Sequence, residues 1–479
     1  MEIPSPKKWS QEIWLAIFTS LALFFIMSSF DYSTFLMAAD KRVLQTPSIN
    51  DPCTGKYIYI QDLPSKFNSD LLKNCRLLTR GTENSMCPYI ENNGLGPLIE
   101  DDYDGILSNN SWFNTNQFML EVIFHNKIMH YKCLTKVPSM ASVVFVPFYA
   151  GLDVSLHLWD SNISSRDSSA HDLLDFLSNK PEWKRMWGRD HFMVAGRISW
   201  DFRRQTDNIS DWGSKLRFLP QSMNMSMLSV ESSSWNNDYA IPYPTYFHPW
   251  KDSLIFDWQT RMRNRKRPYL FTFVGSPRPE MTKSIRGRVI DQCQRSTNSL
   301  CQFIDCSSIQ NSCSKPVSVM KSFQSSIYCL QPPGDSYTRR SIFDSILAGC
   351  IPVFFHPGTA YSQYKWHFPK NHTKYSVYIP VKDVINDLKE GTIEKVLVGI
   401  SKEEELSMRN EVIKLIPNIV YGDPMVRLET VEDAFDLSIK GIIERVEEIR
   451  KVIKDGEDPS VGFAEEDSYK FTFSDYNHT

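Results

Sequence analysis

The residues best suited to chemistry lie in one stretch, Gln331-Pro-Pro-Gly-Asp-Ser-Tyr-Thr-Arg-Arg-Ser-Ile-Phe-Asp-Ser-Ile-Leu-Ala-Gly-Cys-Ile-Pro-Val-Phe-Phe355. A strand hands over to a Pro/Gly loop in which Gly334 lets backbone approach a ligand closely. Asp335, Ser336 and Thr338 follow, and their spacing predicts that Ser336 or Thr338 caps a helix. Arg339 and Arg340 then fall in its first turn, where the helix dipole disfavours cations. Two arginines make sense there if an anion occupies the position, and a pyrophosphate held by backbone N–H groups and guanidinium groups fits. Asp344, about one turn beyond Arg340, is placed either to accept hydrogen bonds from ribose hydroxyls or to pair with Arg340. A second candidate is Gly275-Ser276-Pro277-Arg278-Pro279 with Arg286 downstream. Open α/β sheets place ligands beyond the C-terminal ends of their strands, and this glycine follows a strand.

Several elements must position these groups. Lys56 to Ile60 reads as a strand, and Gln117 to Tyr131 as a helix with Leu120, Phe124, Ile128 and Tyr131 at helical spacing. Ala141 to Val146 and His191 to Ala195 are short apolar runs of the kind buried in parallel sheets. Tyr269 to Val274 is a further strand, and Ser326 to Phe355 reads strand, loop, helix, glycine stop, strand. Gly349 is that stop, in the left-handed conformation. Lys374 to Ile379 adds a strand, and Val431 to Val452 a helix long enough to pack across both halves. Strands alternating with helices imply an α/β fold with mostly parallel sheets. The aromatic and Pro-rich stretch Ser232 to Trp250 and the basic run Arg261 to Arg267 put a lobe boundary near 250–267.

Composition narrows the class. A chain of 479 residues exceeds one ordinary core, so two lobes are expected. With 42% hydrophobic and 23% charged residues it is a folded protein, and a net charge of -3 excludes a phosphate-backbone binder. The uncharged run Ile13 to Phe30, preceded by Lys7 and Lys8, predicts a membrane anchor with its basic flank in the cytosol. The competing reading is a cleaved signal peptide ending near Met37-Ala38-Ala39, which the length of the run disfavours. Ten cysteines suit an oxidising compartment. Cys293, Cys301, Cys306 and Cys313 cluster without a Cys-x-x-Cys pair, which favours disulfides over zinc. Cys53, Cys75, Cys87 and Cys133 add candidates for disulfides, whereas Cys329 and Cys350 read as buried thiols. Sequons at Asn109, Asn162, Asn208, Asn224, Asn371 and Asn477 agree with a lumenal setting.

Many ordered segments resemble the exostosin-like glycosyltransferases, and within them the plant xyloglucan galactosyltransferase group. They include Gly55-Lys-Tyr-Ile-Tyr-Ile-Gln-Asp-Leu-Pro64, Glu91-Asn-Asn-Gly-Leu-Gly-Pro97, the Gln117 to Cys133 segment and Val144-Phe-Val-Pro-Phe-Tyr-Ala-Gly-Leu-Asp153. Trp187-Gly-Arg-Asp-His-Phe192, Trp200-Asp-Phe-Arg-Arg204, Arg267-Pro-Tyr-Leu-Phe-Thr-Phe-Val-Gly-Ser-Pro-Arg278 and the Pro332 to Phe355 motif complete the set. The resemblance implies a GT-B fold, in which two Rossmann-like lobes face a cleft, behind an N-terminal transmembrane helix. It also implies type II Golgi topology and inverting transfer from a UDP-sugar, typically UDP-galactose, to the xylosyl side chains of xyloglucan. The expected layout is a cytosolic tail (1–12), an anchor (13–30), a stem (31–51), an acceptor-side lobe (52–255), a nucleotide-sugar lobe (256–456) and a tail (457–479). Expected partners are the donor, the glycan acceptor, the Golgi membrane and other Golgi glycosyltransferases. Galacturonosyl or arabinosyl transfer, or a non-catalytic carbohydrate-binding partner on the same fold, are the alternatives.

Inverting transfer needs a base for the acceptor hydroxyl and positive groups for the departing UDP. Arg278, Arg286 and Arg339 are assigned to the leaving group, replacing a metal ion, so no metal or other cofactor is expected. Asp344 is assigned to the ribose. Asp153, after a buried strand and an Ala-Gly turn, is the candidate base, with Glu91, Glu121 and His191 as rivals. Phe148, Tyr149, Trp200 and Trp235 are candidate platforms for sugar rings. Asp102-Tyr103-Asp104 meets the acidic Asp-x-Asp pattern of metal-dependent transferases, but reads as a solvated loop without a preceding apolar strand.

Overall fold

The computed structural model describes residues 51–79, 85–100, 105–108, 110–158, 162–233, 237–277, 284–296, 300–307, 312–386 and 391–459. The predicted anchor, the Asp102-Tyr103-Asp104 pattern, Arg278, Trp235 and the sequons at Asn109 and Asn477 lie outside them. Among the described residues no helix is long and apolar enough to cross a membrane. The chain from Gly55 onward forms one compact unit.

Two parallel sheets organise that unit. The first runs β1 (Ile58–Ile60), β2 (Val143–Phe145), β3 (His191–Ile198), β4 (Ser226–Glu231) and β5 (Asp238–Ala240), each strand beside its successor. The second comprises β6 (Tyr269–Gly275), β7 (Cys301–Asp305), β8 (Ser326–Gln331), β9 (Ile351–Phe354) and β10 (Val377–Tyr378), in the order β10-β9-β8-β6-β7. Among the described residues all pairings between these strands are parallel, for example Val144 with His191 and Tyr328 with Ile351. Buried on both faces, the central strands have no alternation, as Val-Val-Phe in β2 illustrates. β6 pairs with β7 on one side and β8 on the other. The chain therefore reverses its direction of growth at β6, which opens a crevice beyond the C-terminal ends of β6 and β8. The first sheet never reverses.

The predicted helix at Gln117 to Tyr131 is shorter, Leu120–Ile128, and the last long helix is Ala434–Lys454. Asp433 caps that helix by accepting from the N–H groups of Phe435 and Asp436. It also pairs with Lys127 at 2.8 Å, both side chains being buried, so the C-terminal helix is fastened to the first lobe. Arg450 near its far end donates to the Ser142 carbonyl just before β2. Breaking one partner of a buried pair of this kind costs about 3–5 kcal/mol because the other charge is stranded. Further bonds join the sheets at β4, where Tyr364 donates to the Val230 carbonyl at 2.8 Å and the Ser232 N–H donates to Gln363 at 2.9 Å.

Disulfides join Cys75–Cys87, Cys293–Cys301, Cys306–Cys313 and Cys329–Cys350. The last corrects the reading of Cys329 and Cys350 as buried thiols. Their positions on β8 and just before β9 bring the two sulfur atoms together across neighbouring strands, a proximity that only the sheet creates.

Candidate active-site cleft

A cleft of about 580 Å³ lies between the two sheets. From the second lobe it is lined by Arg286, Asp335, Ser336, Thr338 and Arg339. Arg286 stands in the first turn of the helix Ile285–Arg295 that follows β6, and the other four sit in the loop after β8. The strand reversal at β6 thus brings both motifs to one crevice. A Cβ added at Gly334 would collide with the Arg339 guanidinium and stand 2.5 Å from Nη2 of Arg286, so both guanidinium groups converge on this glycine. Two like charges held at one backbone position make a receptor for a polyanion such as a diphosphate.

The loop is held from the opposite lobe. Glu231, at the end of β4, accepts hydrogen bonds from the N–H and hydroxyl of Thr338, each at 2.7 Å. With its proton committed to that carboxylate, the Thr338 hydroxyl accepts from Tyr243 at 3.3 Å. Burial pushes the Glu231 carboxyl up, against the pull of Thr338, Ser336 and the Arg339 charge. This residue was missed by sequence reasoning, because nothing local to β4 announces a partner more than a hundred residues away.

Several expected details differ. Neither Ser336 nor Thr338 caps the following helix, which spans Ser341–Leu347 and has no side-chain cap of its own. Instead Ser341 donates to the Gln331 side chain at 2.6 Å, tying the helix start to the strand end. Because the helix begins later than predicted, Arg340 is its N-cap and turns inward with Asp344. Arg340 lies 3.5 Å over the Tyr246 ring, donates to the Thr115 carbonyl and pairs with Asp344 at 3.3 Å. Asp344 is buried, pushed up to about 6 by desolvation against the Arg340 charge. Of its two predicted partners the structure supplies the arginine, and Asp344 is not in the cleft lining. Gly275 ends β6, and the Ser276 carbonyl after it is reached by Nη1 of Arg286 at 3.5 Å. Gly349 has φ +66°, in line with its predicted stop.

On the first lobe the cleft is lined by Phe118, Arg197, Trp200, Asp201, Trp212 and Tyr243, among others. Asp201 lies in a 3-10 turn, Ser199–Phe202, directly after β3. Its Oδ2 accepts from Arg197 at 3.0 Å and its Oδ1 from the Trp212 indole at 2.6 Å. Arg197 in turn lies 4.3 Å over the Phe118 ring and donates to Ser155. An arginine inside an apolar strand was the available signal for this wall, as was the Trp200-Asp201 pair.

Asp153 is not in that lining. It sits on the helix Ala150–His157, hydrogen-bonded to Ser169 of the neighbouring helix and pushed up to about 6 by burial. Its rivals are also placed elsewhere. Glu121 is buried and accepts from the N–H groups of Gly151 and Leu152, capping that same helix, while His191 pairs with Asp190 in the core at 2.8 Å. Glu91 is exposed and outside the cleft lining. Phe148 and Tyr149 are core residues, so of the predicted sugar platforms the described cleft keeps Trp200. Among the described residues no group of three or more His, Cys, Asp or Glu is placed to hold a metal ion.

Two converging guanidinium groups face an aromatic wall that carries the Arg197–Asp201 pair, an arrangement suited to group transfer from a phosphorylated donor. Residues 52–396 match the family profile described as Exostosin GT47 domain, and the chain belongs to that family of glycosyltransferases. It is 56% identical to the probable xyloglucan galactosyltransferase GT14 of Arabidopsis thaliana, over 97% of this chain and 93% of that protein. It is 53% identical to the xyloglucan galactosyltransferase MUR3 of the same plant, over 88% of this chain and 67% of that one. Identity to the Arabidopsis thaliana xyloglucan-specific galacturonosyltransferase 1 is 41%, over 82% of this chain and 58% of that protein.

Proposed function

We propose that this protein transfers galactose from UDP-galactose to xylosyl side chains of xyloglucan, with inversion at the transferred carbon. The supporting observation is the convergence of Arg286 and Arg339 on Gly334 in one wall of a cleft whose other wall carries Asp201. In this reading the two arginines, with the Ser336 hydroxyl, bind the diphosphate and stabilise the charge that develops as the sugar leaves. No divalent cation is invoked for that step. The base moves from Asp153 to Asp201, because Asp201 is the carboxylate on the wall facing the arginines. A base on one side and the leaving group on the other is the arrangement that a single displacement requires.

Names of relatives support the choice of sugar and acceptor, and the two-lobed parallel architecture supports the GT-B assignment. The 41% identical galacturonosyltransferase keeps one alternative donor in view, since a hexose and its uronic acid differ at one substituent. We place the catalytic unit in the Golgi lumen behind an anchor at Ile13 to Phe30, a reading supported by the apolar run and by the disulfides, which need an oxidising compartment. The test is a panel of UDP-sugars with a xyloglucan oligosaccharide and chelator present, read by product mass, linkage and anomeric configuration. UDP-galactose is expected to be used in preference, giving a β-linked product without added metal. Preference for UDP-galacturonic acid, a retained configuration or a metal requirement would each overturn the corresponding part. Asp201→Asn should abolish transfer while UDP still binds.

A further inference from the structure

Two tryptophans on the first-lobe wall are out of keeping with their residue type. Trp200 is 61% exposed and Trp212 36% exposed, although an indole buries more apolar surface than any other side chain. Both border the cleft. Neither hangs from a loose loop. The Trp212 indole N–H is fixed on Asp201 at 2.6 Å, and the Ser214 N–H donates to the Asp201 carbonyl at 2.9 Å. Gly213, with φ +83°, packs so closely on the Asp201 backbone that any Cβ there would clash. Trp200 precedes Asp201 in the same 3-10 turn, whose end is held by the Arg203 N–H donating to the Trp200 carbonyl at 3.2 Å. The two rings are therefore carried by one braced unit built around Asp201.

We propose that Trp200 and Trp212 form a stacking platform for the glucan backbone of the acceptor, distinct from the xylosyl unit that receives the sugar. The inference rests on the functional reading above. Pyranose rings present flat arrays of C–H bonds that pack on aromatic faces, and indoles do this without charge. The accepting hydroxyl must meet Asp201, so rings beside Asp201 cover the sugars next to the reacting one. The opposite wall is cationic and suits the donor, which leaves the indoles to a neutral chain.

The test compares wild type, Trp200→Ala, Trp212→Ala and the two phenylalanine variants. Cellotetraose, which has the backbone but no xylosyl branch, is titrated by calorimetry, and KM values are taken for UDP-galactose and for a xyloglucan oligosaccharide. Each alanine is expected to weaken cellotetraose binding and raise the acceptor KM about tenfold, with the donor KM unchanged. Phenylalanine should restore most of the loss. Equal cellotetraose binding by wild type and alanine variants would overturn the platform, as would a rise in donor KM alone, which would place the nucleobase on the indoles. Absence of transfer to xyloglucan by wild type would sink the functional reading separately, because cellotetraose binding still judges the platform.

Discussion

The two sheets share an architecture and divide the work. In the second, the strand order reverses at β6, so the loops after β6 and β8 diverge and a crevice opens where Arg286 and Arg339 meet. In the first, strands follow one another without reversal, and its contribution to the cleft is gathered from the end of β3, the turn and loop beyond it, Phe118 and Tyr243. One wall is cationic and dictated by topology. The other is aromatic and dictated by a hydrogen-bond chain through Arg197, Asp201 and Trp212. The comparison teaches that parallel sheets of equal size offer unequal places for ligands, and that the lobe without a switch point must build its site from side-chain contacts.

The division can be broken most sharply at Arg339. Arg339→Ala should lower kcat by about 10²–10³-fold, the loss seen when one preorganised donor to a developing charge is removed. Acceptor binding should be intact, and a loss of it by calorimetry would show that the walls are not separate. Gly334→Ala comes next. The added methyl must push both guanidinium groups aside, and a displacement of that size can cost about a hundredfold in kcat/KM. Activity close to wild type would mean that the arginines act from other positions.

Glu231 tests how the walls communicate. Glu231→Ala strands the buried Thr338 donors and should raise the donor KM about tenfold, in line with roughly 1–3 kcal/mol for an unsatisfied buried group. Glu231→Gln keeps an acceptor and should recover most of that loss. An unchanged donor KM in the alanine variant would leave the contact without a role in positioning the loop.

A last effect, on stability and not on turnover, concerns support of the aromatic wall. Burial pushes Glu121 up to about 8, against hydrogen bonds from Gly151, Gly196 and Leu152 and the Arg197 charge. Its folded-state proton affinity exceeds its unfolded one. Stability is therefore full below about pH 4.5 and declines as pH rises toward about 8. Glu121→Gln lacks this dependence, so urea melts at pH 5 and pH 8 should show the variant gaining on wild type with rising pH. A constant difference would place the folded pKa near its ordinary value.

Much of the fold was legible. The apolar runs that became β2, β3, β6 and β8 were visible because strands buried on both faces lack alternation. β4 and β5 were hidden, since Ser226, Ser229, Glu231 and Asp238 make them look polar although they are buried. Asp238 is tolerated there by Arg203 and by Arg217, the latter 2.9 Å away, which hold its carboxyl well below the usual range despite burial. In the site, the Gly334 to Arg339 loop and Arg286 were readable as a cationic motif after a strand. Asp153 does not line the cleft, and its place after a strand and turn says nothing of which way its carboxyl faces.

What the sequence by itself determined were the local matters: strands from unbroken apolar runs, the glycine at 349 from the need for positive φ, and the family from many ordered motifs. Only the tertiary structure decided which charges meet. Arg340 and Arg339 are neighbours in the chain, yet one pairs inward with Asp344 and the other faces the cleft, because the helix begins one residue after Arg340. Glu231 and Thr338, or Asp201 and Trp212, become partners by the packing of elements far apart in the chain. Hydrogen bonds act over a few ångströms of space, and a linear pattern holds no record of that distance until the chain has folded.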